Sequence, residues 1–311
     1  MILSVSRRTD IPAFYMDWLE KRFREGFVLV RNPMNYHRVS RVPLNTGVID
    51  CIVFWTKDPS KFTKRIDTFK DYHYYFQISI TPYSNGFEKN VPATSDAIES
   101  FINLSKMIGR KRVIWRYDPI MLTSEADVTA HISYFESMAD KLAGFTDKCI
   151  ISFIDIYPGK RFRMSSLGIR EPDEAQMHEI GRGFSRIAAS HGLRLETCCE
   201  KVDLSDYSIG HGKCIDDVLI SELVGDKLMI PADKNQRQGC GCVKSIDIGA
   251  YNSCPHDCVY CYANYSNTIL KSNLINHRSD SPLLIGDIGE DDIITERKMD
   301  SYKKMQMEFE V

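Results

Sequence analysis

Short, uninterrupted apolar runs alternate with amphipathic stretches over the first two-thirds of the chain, and no other feature restricts its possible folds as much. Residues 2–5, 51–55, 74–80, 113–116, 149–156 and 193–197 are such runs, and 245–248 is a shorter seventh. Continuous rather than alternating apolar character marks strands covered on both faces, as in a parallel sheet. Residues 27–30 read as an extra strand or as one arm of a hairpin with 38–42. Helices fill the intervals. Asp10 caps the first, with Pro12 in its first turn, Tyr15, Trp18, Leu19 and Phe23 on one face, and Gly26 past its end. Similar stripes follow at Phe62, Ile66 and Phe69 after Asp58-Pro59, and at Ile98, Phe101 and Ile102. Two more run through Val128, Ile132, Phe135, Met138 and Leu142, capped by Thr123 or Ser124, and through Met177, Ile180, Phe184 and Ile187 before Gly192. Strand–helix repetition of this kind predicts an α/β fold of right-handed βα units, either barrel or open sheet, of which the expectation is a parallel βα barrel that is full or partial and TIM-like. A chain of 311 residues suits one such domain over 1–311.

Composition narrows the function classes. Lys and Arg number 40 against 42 Asp and Glu, a net charge of −2, so the chain lacks the basic footprint of a general nucleic-acid or anionic-membrane binder. It has no apolar run long enough for a transmembrane helix. The opening Met-Ile-Leu-Ser-Val-Ser meets Arg7, Arg8 and Asp10 too soon to be a signal peptide. The expectation is a cytoplasmic protein with reduced cysteines and no membrane association.

Polar and charged residues gather where the predicted strands end. Arg7, Arg8, Lys57, Arg116 and Lys160 line a common mouth if those exits face one opening, as they do in βα barrels. Arginine forks there suit a carboxylate or phosphate, while Asp118 and Glu196 suit a ribose hydroxyl or an ammonium group. Strand-end ion pairs and helix caps account for the same residues without function, and Asp10 and Asp58 fit the capping role. The basic runs 110–112 and 160–163 read as solvated surface that leaves a nucleic-acid substrate open.

Cysteine usage is uneven. Eight of the ten cysteines fall between 198 and 261, whereas Cys51 and Cys149 sit in apolar runs and read as plain buried residues. Residues 198–264 form a cysteine-rich region within the domain, with a short helix near 215–224. Residues 265–311 are a polar extension ending in a charged run, expected to wrap the barrel or stay partly loose. The densest motif reads Asp247-Ile-Gly-Ala-Tyr251-Asn-Ser-Cys254-Pro-His256-Asp-Cys258-Val-Tyr260-Cys261-Tyr262-Ala-Asn264. Three thiolates at C-x3-C-x2-C spacing on an irregular loop can ligate three irons of a cubane and leave the fourth open. Zinc is the alternative, with Cys240 and Cys242 joined to Cys258 and Cys261, or with His256 as a ligand. Cys198, Cys214, Cys240 and Cys242 are four further thiols that could hold an auxiliary 4Fe–4S cluster, a structural zinc or nothing, with Cys199 spare.

The motif, with an aromatic before its last cysteine, resembles the signature of the radical S-adenosylmethionine superfamily. Tyr251, His256 and the Tyr260-Cys261-Tyr262-Ala263 string are similar to its spore-photoproduct-lyase-like branch. The whole chain, from Ser4-Val-Ser-Arg-Arg-Thr-Asp10 to the cysteine loop, also resembles an uncharacterised bacterial family carrying a domain of unknown function. The resemblance implies a 4Fe–4S cluster on Cys254, Cys258 and Cys261, S-adenosylmethionine on its open iron, and Tyr260 against the adenine. It also implies a 5′-deoxyadenosyl radical that takes hydrogen from an unknown small-molecule or nucleic-acid substrate, and an electron donor such as ferredoxin or flavodoxin. Superfamily members carry this loop after their first strand, whereas here it follows the last, so the expected barrel is circularly permuted with 245–248 as structural first strand. No Gly-Gly-Glu triplet is present, so those contacts to the S-adenosylmethionine amino group have no counterpart. Nucleic-acid repair or modification is a second enzymatic expectation. A non-enzymatic zinc or iron–sulfur protein, binding a partner or sensing redox state, is a third.

Overall fold

The computed structural model describes residues 1–84 and 86–303. Its strands are β1 (Ile2–Val5), β2 (Phe27–Asn32), β3 (Asn35–Pro43), β4 (Cys51–Thr56), β5 (Tyr74–Ser79) and β6 (Val113–Ile120). They continue with β7 (Lys148–Phe153), β8 (Arg194–Thr197), β9 (Gly210–His211), β10 (Ile246–Asp247) and β11 (Ile293–Glu296). The helices are α1 (Ile11–Phe14), α2 (Met16–Glu25), α3 (Ser60–Thr63), α4 (Thr94–Ile108), α5 (Val128–Leu142), α6 (Arg161–Ser166), α7 (Glu174–Ser190), α8 (Asp217–Val224) and α9 (Asn267–Ile275). The first expected helix is two: Asp10 does cap it, accepting from Ala13 N at 3.0 Å, but Tyr15 leaves helical geometry and splits α1 from α2. Asp127, not Thr123 or Ser124, caps α5.

Eight strands form one parallel sheet in the order β10-β1-β4-β5-β6-β7-β8-β9. Residues 2–5 and 51–54 are buried on both faces, which is why these runs are apolar without alternation. Leu3, Phe54, Phe76, Trp115 and Ile151 face the helix layer, where Trp18, Phe101, Phe135 and Phe184 fill the core. The opposite face presents Ile2, Val53, Tyr75, Ile114 and Ile150 to the segment around α8, through Ile215, Ile220, Leu228 and Val243. That segment, whose short helix near 215–224 was expected, thus fills the side a closed barrel would enclose. The parallel βα architecture is present, but among the described residues no ladder joins β9 to β10, so strand pairing does not close a ring.

One strand breaks the chain order. β10 comes last in the main sheet by sequence yet pairs with β1, Leu3 opposite Ile246 and Ser4 opposite Asp247. The expected hairpin of β2 and β3 forms, with Val28 opposite Val42, and β11 extends it in parallel. The C-terminal extension packs along α2, with Trp18 Nε1 donating to Ser281 O at 3.0 Å and Leu283 O at 3.1 Å. The end of its charged run, 304–311, lies outside the described residues. Among the described residues, no helix is long and apolar enough to cross a membrane.

Candidate functional site

The carboxyl ends of the strands open onto one cavity of about 810 Å³. Asp247, at the end of β10, ties the strand that leads into the cysteine loop to the exit of β1. Its Oδ1 accepts from Ser6 Oγ at 2.6 Å and Gly249 N at 3.0 Å; its Oδ2 accepts from Ser4 Oγ at 2.9 Å and Arg7 N at 2.8 Å. Gly249 passes so close that a Cβ there would fall 2.0 Å from Ser6 Oγ, so this position admits glycine alone without rearrangement.

The cysteine loop is pinned to that edge. Asn252 and Asp257 take left-handed backbone conformations at φ 50° and 51°, which asparagine and aspartate tolerate better than most residues. Asn252 Oδ1 accepts from the N–H groups of Tyr265 at 2.8 Å and Ser266 at 2.9 Å, and Thr9 Oγ1 donates to Ala250 O at 2.7 Å. His256 is buried with Nε2 2.8 Å from Asp10 Oδ2 and Nδ1 3.0 Å from Asn90 O. Both ring nitrogens are occupied, so the zinc alternative that uses His256 has no free nitrogen to use.

Cys254, Cys258 and Cys261 all line the cavity. Backbone N–H groups of Asp10 and His256 lie near the Cys254 sulfur and those of Ala263 and Asn264 near that of Cys261. Burial pushes all three thiols upward, while these donors, with Lys57 near Cys258 and Lys160 near Cys261, favour the thiolate. Sulfurs met by several N–H donors but otherwise desolvated are an environment suited to metal-bound thiolate, because hydrogen bonds stabilise charge that solvent does not.

Lys57 and Tyr260 meet at a residue the sequence did not single out. Glu88, buried, accepts from Lys57 Nζ at 2.9 Å, from Thr81 Oγ1 at 2.8 Å and from the Tyr260 hydroxyl. Burial alone would push Lys57 down, but Glu88 and Cys258 hold it above its usual value. An isolated glutamate between two turns carries no pattern to find; only the fold brings it under the loop.

The remaining candidates divide. Arg116 is buried and already committed: Nε donates to Asp118 Oδ2 at 3.1 Å, Nη2 reaches the same oxygen, and Nη1 lies 3.3 Å from Gln77 Oε1 and 2.9 Å from Cys214 Sγ. Asp118 also accepts from Ser152 Oγ at 2.7 Å, and Arg116 holds its carboxyl below the usual range although burial opposes this. Neither is a free fork or a free ribose acceptor. Arg7 lies 4.0 Å from Asp247. Arg8 sits over the Tyr251 ring at 4.9 Å and, among the described residues, has no carboxylate partner. Glu196 is not in the cavity wall: its side chain bonds Lys148 at 3.1 Å and Arg194 at 3.0 Å, a structural pairing. Lys160 donates to Asn264 O at 2.5 Å and so braces the loop. The basic run 110–112 lies at the other end of β6, with Arg110 on Asp147 and Lys111 on Glu222.

Cys198, Cys199, Cys214, Cys240 and Cys242 occupy another wall of the same cavity. Cys214 and Cys242 are buried in the apolar cluster beneath α8, with Cys198 and Cys240 packed against it. Among the described residues, no group of three or more His, Cys, Asp or Glu side chains is arranged around a single metal-ion position.

Fold and site together define an α/β protein with a parallel sheet and a cysteine-lined cavity at the carboxyl ends of its strands. The family model described as Domain of unknown function (DUF1848) matches residues 2–263, so the chain belongs to that family, and the match takes in the whole cysteine loop. No curated protein matches the sequence. Among solved structures, one similar chain is that of a protein described as an alpha-L-fucosidase from Bacteroides thetaiotaomicron. It is 10% identical, with 70% of this chain and 79% of that chain covered and a TM-score of 0.28. A superposition that loose fixes neither topology nor chemistry.

Proposed function

We propose that this protein is a radical S-adenosylmethionine enzyme in which Cys254, Cys258 and Cys261 hold a 4Fe–4S cluster. One observation carries the reading: the three thiols of the C-x3-C-x2-C loop share one cavity, with backbone N–H groups near the sulfurs of Cys254 and Cys261 and the Lys57 cation near Cys258. When bound, such a cluster with S-adenosylmethionine supplies a 5′-deoxyadenosyl radical for hydrogen abstraction.

The chain's own residues then have separable tasks. Asp247 and Gly249 fix the loop to β1, which gives β10 the place of a first strand and supports the permuted arrangement. Glu88 orients the Tyr260 hydroxyl and leaves its ring to lie against an adenine. Arg8, steadied by Tyr251, is a cavity cation that has no acidic partner among the described residues and suits the carboxylate of S-adenosylmethionine or an anionic substrate. Depth and partial enclosure limit solvent access to a reactive intermediate. The reading implies a one-electron donor such as ferredoxin or flavodoxin as partner.

Anaerobic reconstitution with iron and sulfide tests this. The expected result is a dithionite-reducible 4Fe–4S signal that shifts on adding S-adenosylmethionine, with 5′-deoxyadenosine formed. Stoichiometric zinc without iron, and intact S-adenosylmethionine, would overturn it in favour of a non-enzymatic metal protein.

A further inference from the structure

Two cysteine sulfurs outside the loop are brought together by strand pairing. β8 and β9 run parallel with Thr197 opposite His211, and Gly212 N donates to Thr197 O at 2.7 Å. The two stretches pass so close that a Cβ on Gly212 would fall 2.5 Å from Glu196 Oε2 and 3.3 Å from Thr197 O. Cys198 follows the first strand and Cys214 the second, 16 residues apart in sequence, and their Sγ atoms lie 3.1 Å apart. We propose that Cys198 and Cys214 are a redox-active pair, closed into a disulfide by exchange with a small disulfide that enters the cavity and reopened by a dithiol. The proposal uses none of the loop's thiols and stands apart from the radical reading.

Both backbones are held in place. Cys198 N donates to Ile151 O on β7 at 2.9 Å, and the Cys214 carbonyl accepts from two side chains of β5, Tyr75 OH at 2.7 Å and Gln77 Nε2 at 3.0 Å. A disulfide of about 2.05 Å therefore asks the sulfurs to close by about 1 Å, within reach of side-chain rotation. The neighbouring thiols are turned elsewhere. Cys199 Sγ lies 3.5 Å from Gln238 O, and Cys242 Sγ accepts from Ile215 N at 3.4 Å. Within the pair the two sulfurs differ. Cys198 is partly exposed and Cys214 is buried, and both line the cavity, so an entering disulfide meets Cys198 first. Arg116, only 4% exposed, turns Nη1 to Cys214 Sγ at 2.9 Å, and a guanidinium there favours the thiolate that completes the exchange. The Cys198 hydrogen bond also lowers Cys214, but the neighbouring Cys242 thiol and burial still lift it to about 11, so exchange is slow at neutral pH.

The reaction is two displacements. Cys198 Sγ attacks one sulfur of the entering disulfide, which leaves a mixed disulfide and releases one half as a thiol. Cys214 Sγ then attacks Cys198 Sγ and releases the other half. One foreign S–S bond and two protein S–H bonds become one protein S–S bond and two foreign S–H bonds. Two electrons pass from the protein to the small disulfide, and both protons leave on its halves. The new bond ties the exit of β8 to the segment after β9 and closes the chain across those 16 positions, which stabilises the fold against heat.

The test adds oxidised glutathione to the full chain under anaerobic conditions. Cysteine pairs are mapped by non-reducing peptide mass spectrometry, and thermal melting is followed by circular dichroism. Wild type should show a Cys198–Cys214 linkage in most molecules and a higher Tm, both reversed by dithiothreitol. Cys214→Ser should stop at a glutathione adduct on Cys198, and in Cys198→Ser the Tm rise should be absent. Wild type with both thiols free after prolonged oxidation, with a glutathione adduct on Cys198 that never resolves, or with either residue linked to Cys199, Cys240 or Cys242 instead overturns the proposal. If Cys214→Ser does not fold, the wild-type map and the partly exposed Cys198→Ser decide. None of these outcomes depends on iron. A mapped Cys198–Cys214 pair in a protein that never cleaves S-adenosylmethionine would sink the radical reading and leave this one standing.

Discussion

Two sets of cysteines line one cavity, but they are built in opposite ways. Cys254, Cys258 and Cys261 lie within eight residues, so their closeness is local and follows from spacing once the loop is anchored. Cys198, Cys214, Cys240 and Cys242 span 45 residues and converge only because β8, β9 and the segment covering the sheet's second face end at the same place. A local site depends on its anchors; an assembled one depends on the packing of the whole sheet.

The largest expected effect separates the sets by chemistry. Cys258→Ala should bring 5′-deoxyadenosine formation down to background, while Cys199→Ala, at the wall's spare thiol, should leave it within about twofold; equal losses in both variants would erase the distinction. Next comes the support under the loop. Glu88→Ala leaves Lys57 buried without its partner and should cost about 3–5 kcal/mol in denaturant unfolding, with Lys57→Met recovering part of it in the double variant. A cost below about 1 kcal/mol would mean that the Lys57–Glu88 pair carries little of the loop's support.

Anchoring at the strand edge comes third. Gly249→Ala drives a methyl into Ser6 and should cost about 1–3 kcal/mol, with loss of iron from the loop. Denaturant unfolding and iron analysis on the purified variant check it, and full iron content would mean that this close approach does not anchor the loop. The smallest effect lies on the wall side. Glu200 accepts from Phe153 N at 3.0 Å, and burial, aided by Asp118 and Asp155, lifts its carboxyl to about 8 from 4.5. The folded state therefore binds the proton more tightly than the unfolded one, so its contribution to stability falls as pH rises from 4.5 towards 8. Glu200→Gln should flatten that decline by about 1–2 kcal/mol, read from urea midpoints across the window. An unchanged slope would place the carboxyl in water.

Much of the frame was legible. Apolar runs located β1, β4, β5, β6, β7 and β8 closely, because strands buried on both faces leave a continuous signal. Asp10 was readable as a cap, since capping is a contact across three residues. The break at Tyr15 was not, because the stripe from Tyr15 to Phe23 continues across it and Tyr15 is spent on Ser253 O, 238 residues away. Arg116, Asp118 and Lys57 were read correctly as cavity residues but not as mutually satisfied ones. Glu196 was read as a cavity residue and is not one, because a strand exit gives position along the sheet, while alternation of side chains decides which group turns inward.

By itself, then, the sequence determined the βα frame and the C-x3-C-x2-C loop, since both rest on periodicity and short spacing that the chain carries wherever it folds. Only the tertiary structure decided that β10 stands beside β1, that the sheet stays open with the α8 segment against it, and that Glu88 lies beneath Tyr260. It also decided that four distant thiols share a wall with Arg116. Those are contacts between residues tens to hundreds of positions apart, set by how the whole core packs, and no local pattern encodes them.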